Sequence, residues 1–208
     1  MNINASIVDQ RLDGLLENYA NELHAMVGAD KARQKSAAVV LLCVMTSLDM
    51  PFEEAQELIT EGSGDLGVDA IHLSELDDGE FTVTLFQAKY THKNLDAASQ
   101  FPENAMKSLL LLLNNIFEPN KSFSMSQTLA PRIEEIRSLI RDGYIPTVHL
   151  MLCNNGQSWT QVAQEWIDQS GFSAARVQWQ HYNHDNIVNV LQRTKAVSDS
   201  LSLRGAAS

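Results

Sequence analysis

Cysteine is scarce in this sequence. Its 208 residues contain two cysteines, Cys43 and Cys153. The first lies in an apolar segment with helical character and the second in a predicted strand, so both fit a buried core. We therefore expect reduced core cysteines in a reducing compartment, and not a disulfide or a zinc site. The six histidines also lack the spacing of zinc-finger ligands.

Positive charge is also in short supply. The chain has 15 Lys and Arg residues against 26 Asp and Glu residues, which gives a formal net charge of −11. Because neutralisation of phosphates supplies much of the affinity of DNA-binding proteins, this balance argues against a tight, autonomous DNA binder. A local basic cluster is still present in Lys89, Lys93 and Lys107, with His92 close by. We expect weak DNA binding by this chain alone, with further affinity supplied by a partner subunit or a missing C-terminal region.

Long hydrophobic runs are absent as well. The most apolar stretch, residues 37–45, is far shorter than the roughly 20 residues that a transmembrane helix needs. The N-terminus, from Met1 to Asn4, lacks the charged and apolar regions of a secretory signal. We therefore expect a cytoplasmic protein with no membrane partner, and its length suits one sizeable core.

What the sequence does contain is a polar motif on a predicted β-hairpin. Residues 64–71 read Gly-Asp-Leu-Gly-Val-Asp-Ala-Ile, and their end is predicted to begin a short strand. An acidic turn with an Asp-Gly pair, residues 76–80, leads into a second strand over residues 81–90. Alternate side chains of a strand share a face, so the apolar face of the second strand ends in Gln87 and Lys89.

Asp69, Gln87 and Lys89 are the candidate catalytic residues. Buried Gln and Lys need partners, and the Asp69 carboxylate on the neighbouring strand is predicted to pair with Lys89. The Asp69 carboxylate, the Gln87 side-chain oxygen and the Ala88 backbone carbonyl suit Mg²⁺ or Mn²⁺, which prefer oxygen ligands. Such an ion activates water, while Lys89 orients that water or stabilises negative charge. The set predicts metal-assisted hydrolysis of phosphodiesters. In isolation, Asp69 could instead cap a turn and Lys89 could end a solvated strand.

The glycine-bracketed loop before Asp69 and the Phe86–Tyr90 segment also resemble the PD-(D/E)xK nuclease superfamily. The resemblance is to its Mrr-like members, and most of all to the N-terminal domain of abortive-infection phage-resistance (AIPR) proteins. It extends over about residues 30–195, with the specific motif confined to residues 61–90. It implies a restriction-endonuclease-like αβββαβ core, Mg²⁺- or Mn²⁺-dependent cleavage of DNA, and catalytic roles for the aspartate, glutamine and lysine of the motif.

The sequence departs from that superfamily in one metal ligand. Many members carry a Glu on the helix before the loop, whereas the apolar helix of this chain has none in its middle. Supporting ligands are therefore sought in Glu53, Glu54 or Glu57 near the end of that helical region, or in Asp65 of the loop. Phage-resistance proteins of this type also continue into a long C-terminal region, so we expect either a fragment or a free-standing domain.

The remaining segments predict a mixed α/β fold. Helix, hairpin, helices, strand, helix and strand follow one another, which indicates a mixed sheet with helices on both faces. We divide the chain into an N-terminal amphipathic helix in residues 1–30, a nuclease-like domain in residues 31–195 and a flexible tail in residues 196–208. Apolar side chains recur at helical spacing in residues 7–27, which leaves two alternatives: packing on the same domain or forming a homodimer.

The residues and the resemblance together predict a metal-dependent DNA endonuclease that acts in bacterial phage defence or restriction. The alternative is a catalytically inactive nucleic-acid-binding or oligomerisation module with the same fold. The two differ in their dependence on the motif, because only the enzyme needs the Asp69 carboxylate and the Lys89 ammonium.

Overall fold

The computed structural model describes residues 1–60, 66–93, 95–118 and 120–205, with side chains as far as Lys195. Helices, strands and one 3₁₀ turn alternate along these ranges. The elements are α1 Ile3–Asn18, α2 Ala20–Val27, α3 Lys31–Leu48, α4 Phe52–Ala55, the 3₁₀ turn Gln56–Leu58, β1 Ala70–Leu73, β2 Glu80–Lys89, α5 Glu103–Phe117, α6 Leu129–Arg141, β3 Ile145–Asn154, α7 Gln161–Gln169, β4 Val177–Asn183 and α8 His184–Gly205.

Four strands form one mixed sheet in the order β1-β2-β3-β4. β1 runs antiparallel to β2, with Ala70 opposite Phe86. β2, β3 and β4 are parallel, with Lys89 opposite Asn154 and Asn154 opposite Asn183. The prediction of a mixed α/β fold is confirmed.

The order of strands along the chain differs in detail from the predicted αβββαβ core. Within the described ranges, two consecutive strands precede the next helix instead of three. An isolated antiparallel bridge between Ile59 and Ala70 continues the sheet beyond β1. The 3₁₀ turn ends at Leu58, directly before Ile59, so the pairing does not extend in that direction.

The acidic turn between β1 and β2 forms the predicted hairpin. Asp77 and Glu80 exchange two backbone hydrogen bonds, at 3.0 and 2.9 Å. Asp78 and Gly79 between them have positive φ angles of 47° and 81°. Type I′ hairpin turns require this conformation at both central residues, and an Asp-Gly pair adopts it readily. Between this turn and β1 the pairing shifts by one residue, and the register of β1 places the residue before Ala70 near the end of β2.

Side chains of the sheet alternate between two hydrophobic cores, one on each face. Val83 and Leu85 of β2 pack with α5, α6 and α7, whereas Phe86 packs with α1, α3 and α8. This follows from the period of two along a strand. Because both faces are covered, residues 83–87 of β2 and residues 150–154 of β3 are buried, whereas the edge strand β4 is only partly buried and carries several polar side chains. Polar side chains in the sheet therefore stand out at its edges.

The N-terminal segment forms two helices where one was predicted. α1 ends at Asn18 and α2 begins at Ala20. Between them, the Tyr19 ring stacks on Phe52 with the ring centroids 3.8 Å apart. The apolar stripe of residues 7–27 packs within the chain, and its buried members are Val8, Leu12, Leu15 and Leu23. These four side chains are thus buried within the chain, and a homodimer through residues 7–27 stays a prediction.

Local residues set the ends of several helices. Gly28, with a φ of 80°, ends α2. The Asp30 side chain accepts hydrogen bonds from two backbone N–H groups at the start of α3. Asn183 likewise caps α8, where its side chain accepts from a backbone N–H at 3.0 Å. α8 continues to Gly205, past the predicted boundary after residue 195. The flexibility of residues 196–208 stays a prediction.

Helix α3 is the central apolar helix of the first core. Every residue from Ala37 to Val44 is buried. In the described ranges, no single helix is long and apolar enough to cross a membrane. The Lys31–Leu48 and Phe52–Leu58 helices pass on length and composition only as a pair bent by 114°.

Candidate active site

The candidate site lies where the parallel strands end. β2, β3 and β4 finish at one edge of the sheet, and the antiparallel β1 begins there. This edge, here called the carboxyl edge, joins Asp69 to residues 87–91, residues 154–157 and residues 181–184. In open α/β sheets, ligands bind beyond the carboxyl ends of the strands. The fold thus brings all three predicted catalytic residues, Asp69, Gln87 and Lys89, to one edge.

Asp69 is held in place through its backbone and its carboxylate. Its N–H donates to the Phe86 carbonyl oxygen at 2.7 Å, and its carbonyl oxygen accepts from the Thr60 N–H at 2.9 Å. Carboxylate oxygen Oδ2 accepts a hydrogen bond from the Ala88 backbone N–H at 2.7 Å. Asp69 is therefore tied to the β2 segment that carries the other two candidates.

The predicted ion pair between Asp69 and Lys89 is wrong. Within the described ranges, Lys89 forms no ion pair, and its side chain is exposed. The hairpin register explains this result. Ala70 lies opposite Phe86, so Asp69 lies level with Gln87 and two residues short of Lys89. The ammonium group of Lys89 is thus left facing solvent at the end of the strand.

Gln87 is buried, with 2% of its surface exposed. Its side chain lies against Gly67, where a Cβ atom would approach Gln87 Nε2 to 2.1 Å. Gly67 has a φ of 81°, so both its conformation and its lack of a side chain make room for the Gln87 amide. Among the described residues, Gln87 Oε1 has no hydrogen-bond partner. A buried amide oxygen without a partner is costly, and it is a suitable ligand for a hard cation.

The supporting carboxylates are not assembled around Asp69. Glu54 lies on α4 and Glu57 on the 3₁₀ turn, and both are exposed. The Glu57 backbone carbonyl accepts from the Arg132 guanidinium at 2.5 Å, which fixes this segment to α6. Asp65 lies outside the described residues. In the part of the chain that is described, no three His, Cys, Asp or Glu side chains are grouped so that they could hold a metal ion.

The carboxyl edge contains polar contacts that the sequence analysis did not predict. The Asn154 side chain accepts from His181 Nε2 at 2.7 Å. The Asn155 side chain pairs with both backbone groups of Thr91, at 2.9 Å each. From sequence alone, Asn154-Asn155-Gly156 predicts only a turn. Two amides at the end of an apolar strand were the available signal, because buried amides need partners.

His181 is half-buried beside this network. Burial lowers the pKa of His181, the neighbouring His184 lowers it further, and Asp185 opposes the shift. This lowered pKa favours the neutral imidazole over the imidazolium at pH 7. A neutral ring whose Nε2 donates to Asn154 keeps Nδ1 as an acceptor.

A second unpredicted network joins the end of β2 to the N-terminal helices. The Tyr90 hydroxyl donates to Asp9 Oδ1 at 2.6 Å, and Lys35 Nζ lies 2.9 Å from the same oxygen. Burial alone would raise the pKa of Asp9, but the hydrogen bonds from Tyr90 and Lys35 outweigh it and lower that pKa. Burial and the Asp9 carboxylate raise the pKa of Tyr90. The residue after Lys89 is thus fixed to α1 and α3.

The two cysteines confirm the prediction of free, buried thiols. Burial raises the pKa of Cys153, and Cys43 and the negative charge of Asp69 raise it further. Cys153 lies opposite Ala88 in the sheet. The protonated thiol therefore forms part of the apolar wall beneath the carboxyl edge.

Comparison with solved structures gives a similarity that covers most of this chain. No protein-family model matches this chain, and no curated protein is significantly similar to it in sequence. A structure of the MspJI restriction endonuclease in complex with a 27-mer oligonucleotide is similar to this chain with a TM-score of 0.42 and 16% identity. The match covers 89% of this chain and 31% of that chain, so the present chain corresponds to about a third of the length of that enzyme. The resemblance to Mrr-like and AIPR proteins stays a prediction from the motif.

Proposed function

We propose that this chain is a metal-dependent endonuclease domain of the PD-(D/E)xK type that cleaves DNA. The observation that carries the proposal is the geometry of the hairpin end. The Asp69 carboxylate is bonded to the Ala88 N–H at 2.7 Å, and the buried Gln87 Oε1 beside it has no partner among the described residues. Lys89 follows on the same strand with an exposed side chain.

The oxygen atoms at this position fit a hard divalent cation. Mg²⁺ binds one or two carboxylate or carbonyl oxygens and keeps several waters. Asp69 and Gln87 would hold the ion, with the Ala88 backbone carbonyl as a further ligand. A bound Mg²⁺ or Mn²⁺ supplies Lewis acidity and an activated water. Coordination would also satisfy the Gln87 oxygen, whose burial is otherwise unexplained.

The other groups of the edge have separate roles in this proposal. The Lys89 ammonium faces solvent, where it can contact a phosphate and stabilise the negative charge that develops during hydrolysis. The Ala88 N–H already donates to Asp69 and is not free to contact a phosphate. Lys89 is therefore the group of the motif that can do so. Because the net charge is −11, DNA binding depends on local groups such as Lys89 and Lys93 and is weak for this chain alone.

Cleavage of supercoiled plasmid with Mg²⁺ or Mn²⁺ tests the proposal. Asp69→Asn keeps an oxygen that can accept from the Ala88 N–H but removes the negative charge. We expect metal-dependent nicking by the wild type and a loss of about 10³-fold in this variant. Asp142→Asn is the matched control, because Asp142 is exposed and precedes β3 at the opposite edge of the sheet. Equal nicking by Asp69→Asn and wild type would refute the assignment of the site.

Metal binding can be measured without cleavage. Addition of Mn²⁺ should broaden the NMR signals of the Gln87 side-chain amide and the Ala88 backbone amide in the wild type. The same titration of Asp69→Asn should leave both signals sharp. Broadening that is unchanged in the variant would place the ion elsewhere.

The alternative function is a catalytically inactive nucleic-acid-binding module. It is favoured because the described residues include no group of three His, Cys, Asp or Glu side chains that could hold a metal ion, and because the Asp69 carboxylate is used as a backbone clamp. In this case wild type binds DNA without cutting it, and Asp69→Asn binds equally well. A binding assay run beside the plasmid assay separates the two functions.

The biological setting is part of the same proposal. A role in phage defence or restriction rests on the resemblance of the motif to abortive-infection proteins. Two free, buried cysteines suit a reducing cytoplasm. A C-terminal region or a partner subunit would supply the DNA affinity that the acidic surface of this chain lacks.

A further inference from the structure

The backbone pairing of β2 with β3 stops at the end of β2, and beyond it a side chain of the β3 strand end takes the place of the next backbone pair. Lys89 opposite Asn154 is the last backbone pair of the two strands. Beyond it the Asn155 side chain takes over: its Oδ1 accepts from the Thr91 N–H and its Nδ2 donates to the Thr91 carbonyl, each at 2.9 Å. The amide of Asn155 thus continues the sheet after the backbones separate.

The two hydrogen bonds to Thr91 require an amide side chain at position 155. A planar amide can donate and accept at the same time, whereas an ionised carboxylate only accepts. Asn155 is 5% exposed, so its two bonds are shielded from water. The adjacent Gly156 lets the Ser99 backbone pack closely against this strand end, since a Cβ atom there would lie 2.1 Å from the Ser99 carbonyl oxygen.

The segment that carries Lys89 is therefore held on both sides. Before it, the Ala88 N–H is bonded to the Asp69 carboxylate. After it, both backbone groups of Thr91 are bonded to Asn155. Lys89 lies between these two attachments with an exposed side chain. Its backbone is fixed, while its ammonium group can still reach a substrate.

We propose that Asn155 is a positioning residue for Lys89: by clamping Thr91, it sets the direction in which Lys89 leaves the sheet. The inference rests on the proposed nuclease function, because it assigns Lys89 a role in cleavage. The role of Asn155 differs from the roles of the catalytic residues, since Asn155 acts through the backbone and touches neither metal nor phosphate. An error of about 1 Å in the placement of a catalytic group can lower the rate about 100-fold.

The test compares three variants of the full chain. Asn155→Ala removes both bonds to Thr91. Asn155→Asp keeps an acceptor for the Thr91 N–H but faces the Thr91 carbonyl with a negative oxygen, so it serves if the alanine variant does not fold. Gln157→Ala is the matched control. Gln157 also follows β3, and its Nε2 donates to the Ala97 carbonyl at 2.8 Å. It therefore holds the chain after β2 as Asn155 does, but at a point eight residues beyond Lys89.

Two readouts are needed, and the first does not require activity. In Asn155→Ala, the Thr91 amide should exchange with solvent at least about tenfold faster, and the amide and Cε NMR signals of Lys89 should shift. In Gln157→Ala both should stay as in the wild type. Faster exchange at Thr91 without any change at Lys89 would overturn the inference, because Asn155 would then be structural only.

The second readout is the rate of plasmid nicking. Asn155→Ala should lower kcat at least about tenfold with KM for DNA unchanged, since Lys89 is misplaced while the binding surface is kept. An unchanged kcat would refute a positioning role. If the wild type does not nick DNA at all, the nuclease proposal fails first, and the Lys89 signals alone decide whether Asn155 sets the position of that lysine.

Discussion

The two edges of the sheet are built in opposite ways. At the amino edge, the hairpin turn closes with bonds between Asp77 and Glu80, three residues apart. An exposed ion pair joins Glu80 to Arg176 at 3.2 Å. At the carboxyl edge, buried or half-buried polar groups bond across long sequence distances: Asn155 to Thr91 spans 64 residues, and Tyr90 to Asp9 spans 81.

This difference shows that the fold concentrates buried polar groups at the carboxyl edge. Buried polar groups are costly unless they are paired, so a cluster of them marks a place where geometry is held for a purpose. The amino edge needs only a compatible turn. The carboxyl edge needs α1, α3, β1, β2 and β3 to be correctly placed at once. Function is therefore expected at the carboxyl edge, and variants at the two edges should differ in kind.

Lys89→Met should give the largest difference between the edges. Removing the exposed ammonium should lower plasmid nicking by about 100-fold or more, while the free energy of unfolding changes by no more than about 0.5 kcal/mol. Arg176→Met, an exposed cation at the amino edge, should leave nicking unchanged. Nicking rates and urea unfolding test both. Unfolding of the Lys89 variant would instead show a structural lysine.

Gly67 and Gly79 offer a matched pair, since both have a φ of 81°. At Gly79, on the amino edge, nothing described lies within 4 Å of an added Cβ, whereas at Gly67 the Gln87 amide lies 2.1 Å away. Gly79→Ala should cost about 1 kcal/mol of unfolding free energy from backbone strain. Gly67→Ala should cost about 2–4 kcal/mol, because overpacking is added. Equal losses in urea unfolding would mean that Gln87 moves aside freely.

Tyr90→Phe should show a smaller loss, from the hydrogen bond to Asp9 alone. A bond to a charged acceptor is worth about 1.5–3 kcal/mol when buried, and partial exposure reduces this to about 1–2 kcal/mol. Tyr144→Phe, next to the amino edge, is the control, because its hydroxyl has no hydrogen-bond partner among the described residues. Thermal and urea unfolding should separate the two variants. Similar losses of unfolding free energy in the two variants would show that the hydrogen bond from Tyr90 to Asp9 contributes little to stability.

The same network predicts a dependence on pH. The pKa of Asp9 is lowered in the folded chain, so its contribution to stability is present above the unfolded value of about 3.9 and is lost as the pH falls through the folded value. Because Tyr90 helps to lower this pKa, the acid loss of stability should be shallower in Tyr90→Phe than in wild type. Urea unfolding between pH 2 and 6 measures the slopes. Parallel slopes would contradict the role of Tyr90.

Glu80→Gln should have the smallest effect. Its carboxylate and Arg176 are 55% and 41% exposed, and surface ion pairs of this kind contribute about 0–1 kcal/mol. We expect a change below about 0.5 kcal/mol that vanishes in 0.5 M salt. A larger, salt-resistant loss would show that the amino edge is more cooperative than its exposure suggests.

The sequence predicted much of the fold from short-range signals. The Asp78-Gly79 turn and the alternation along β2 both act within a few residues. The motif residues Asp69, Gln87 and Lys89 could also be identified, because polar side chains at the end of an apolar strand are uncommon. Their arrangement could not, since it depends on the register of the hairpin.

Sequence by itself determined the element types, the hairpin and the positions at which polar groups interrupt buried strands, because backbone conformation and side-chain period are local properties. The tertiary structure alone decided which partners those groups meet. It gave Asp69 the Ala88 N–H instead of Lys89, turned the N-terminal apolar stripe onto α3 and α8, and set Asn155 against Thr91. Each of these contacts joins elements far apart in the chain, and only the packed distances between them select one partner over another.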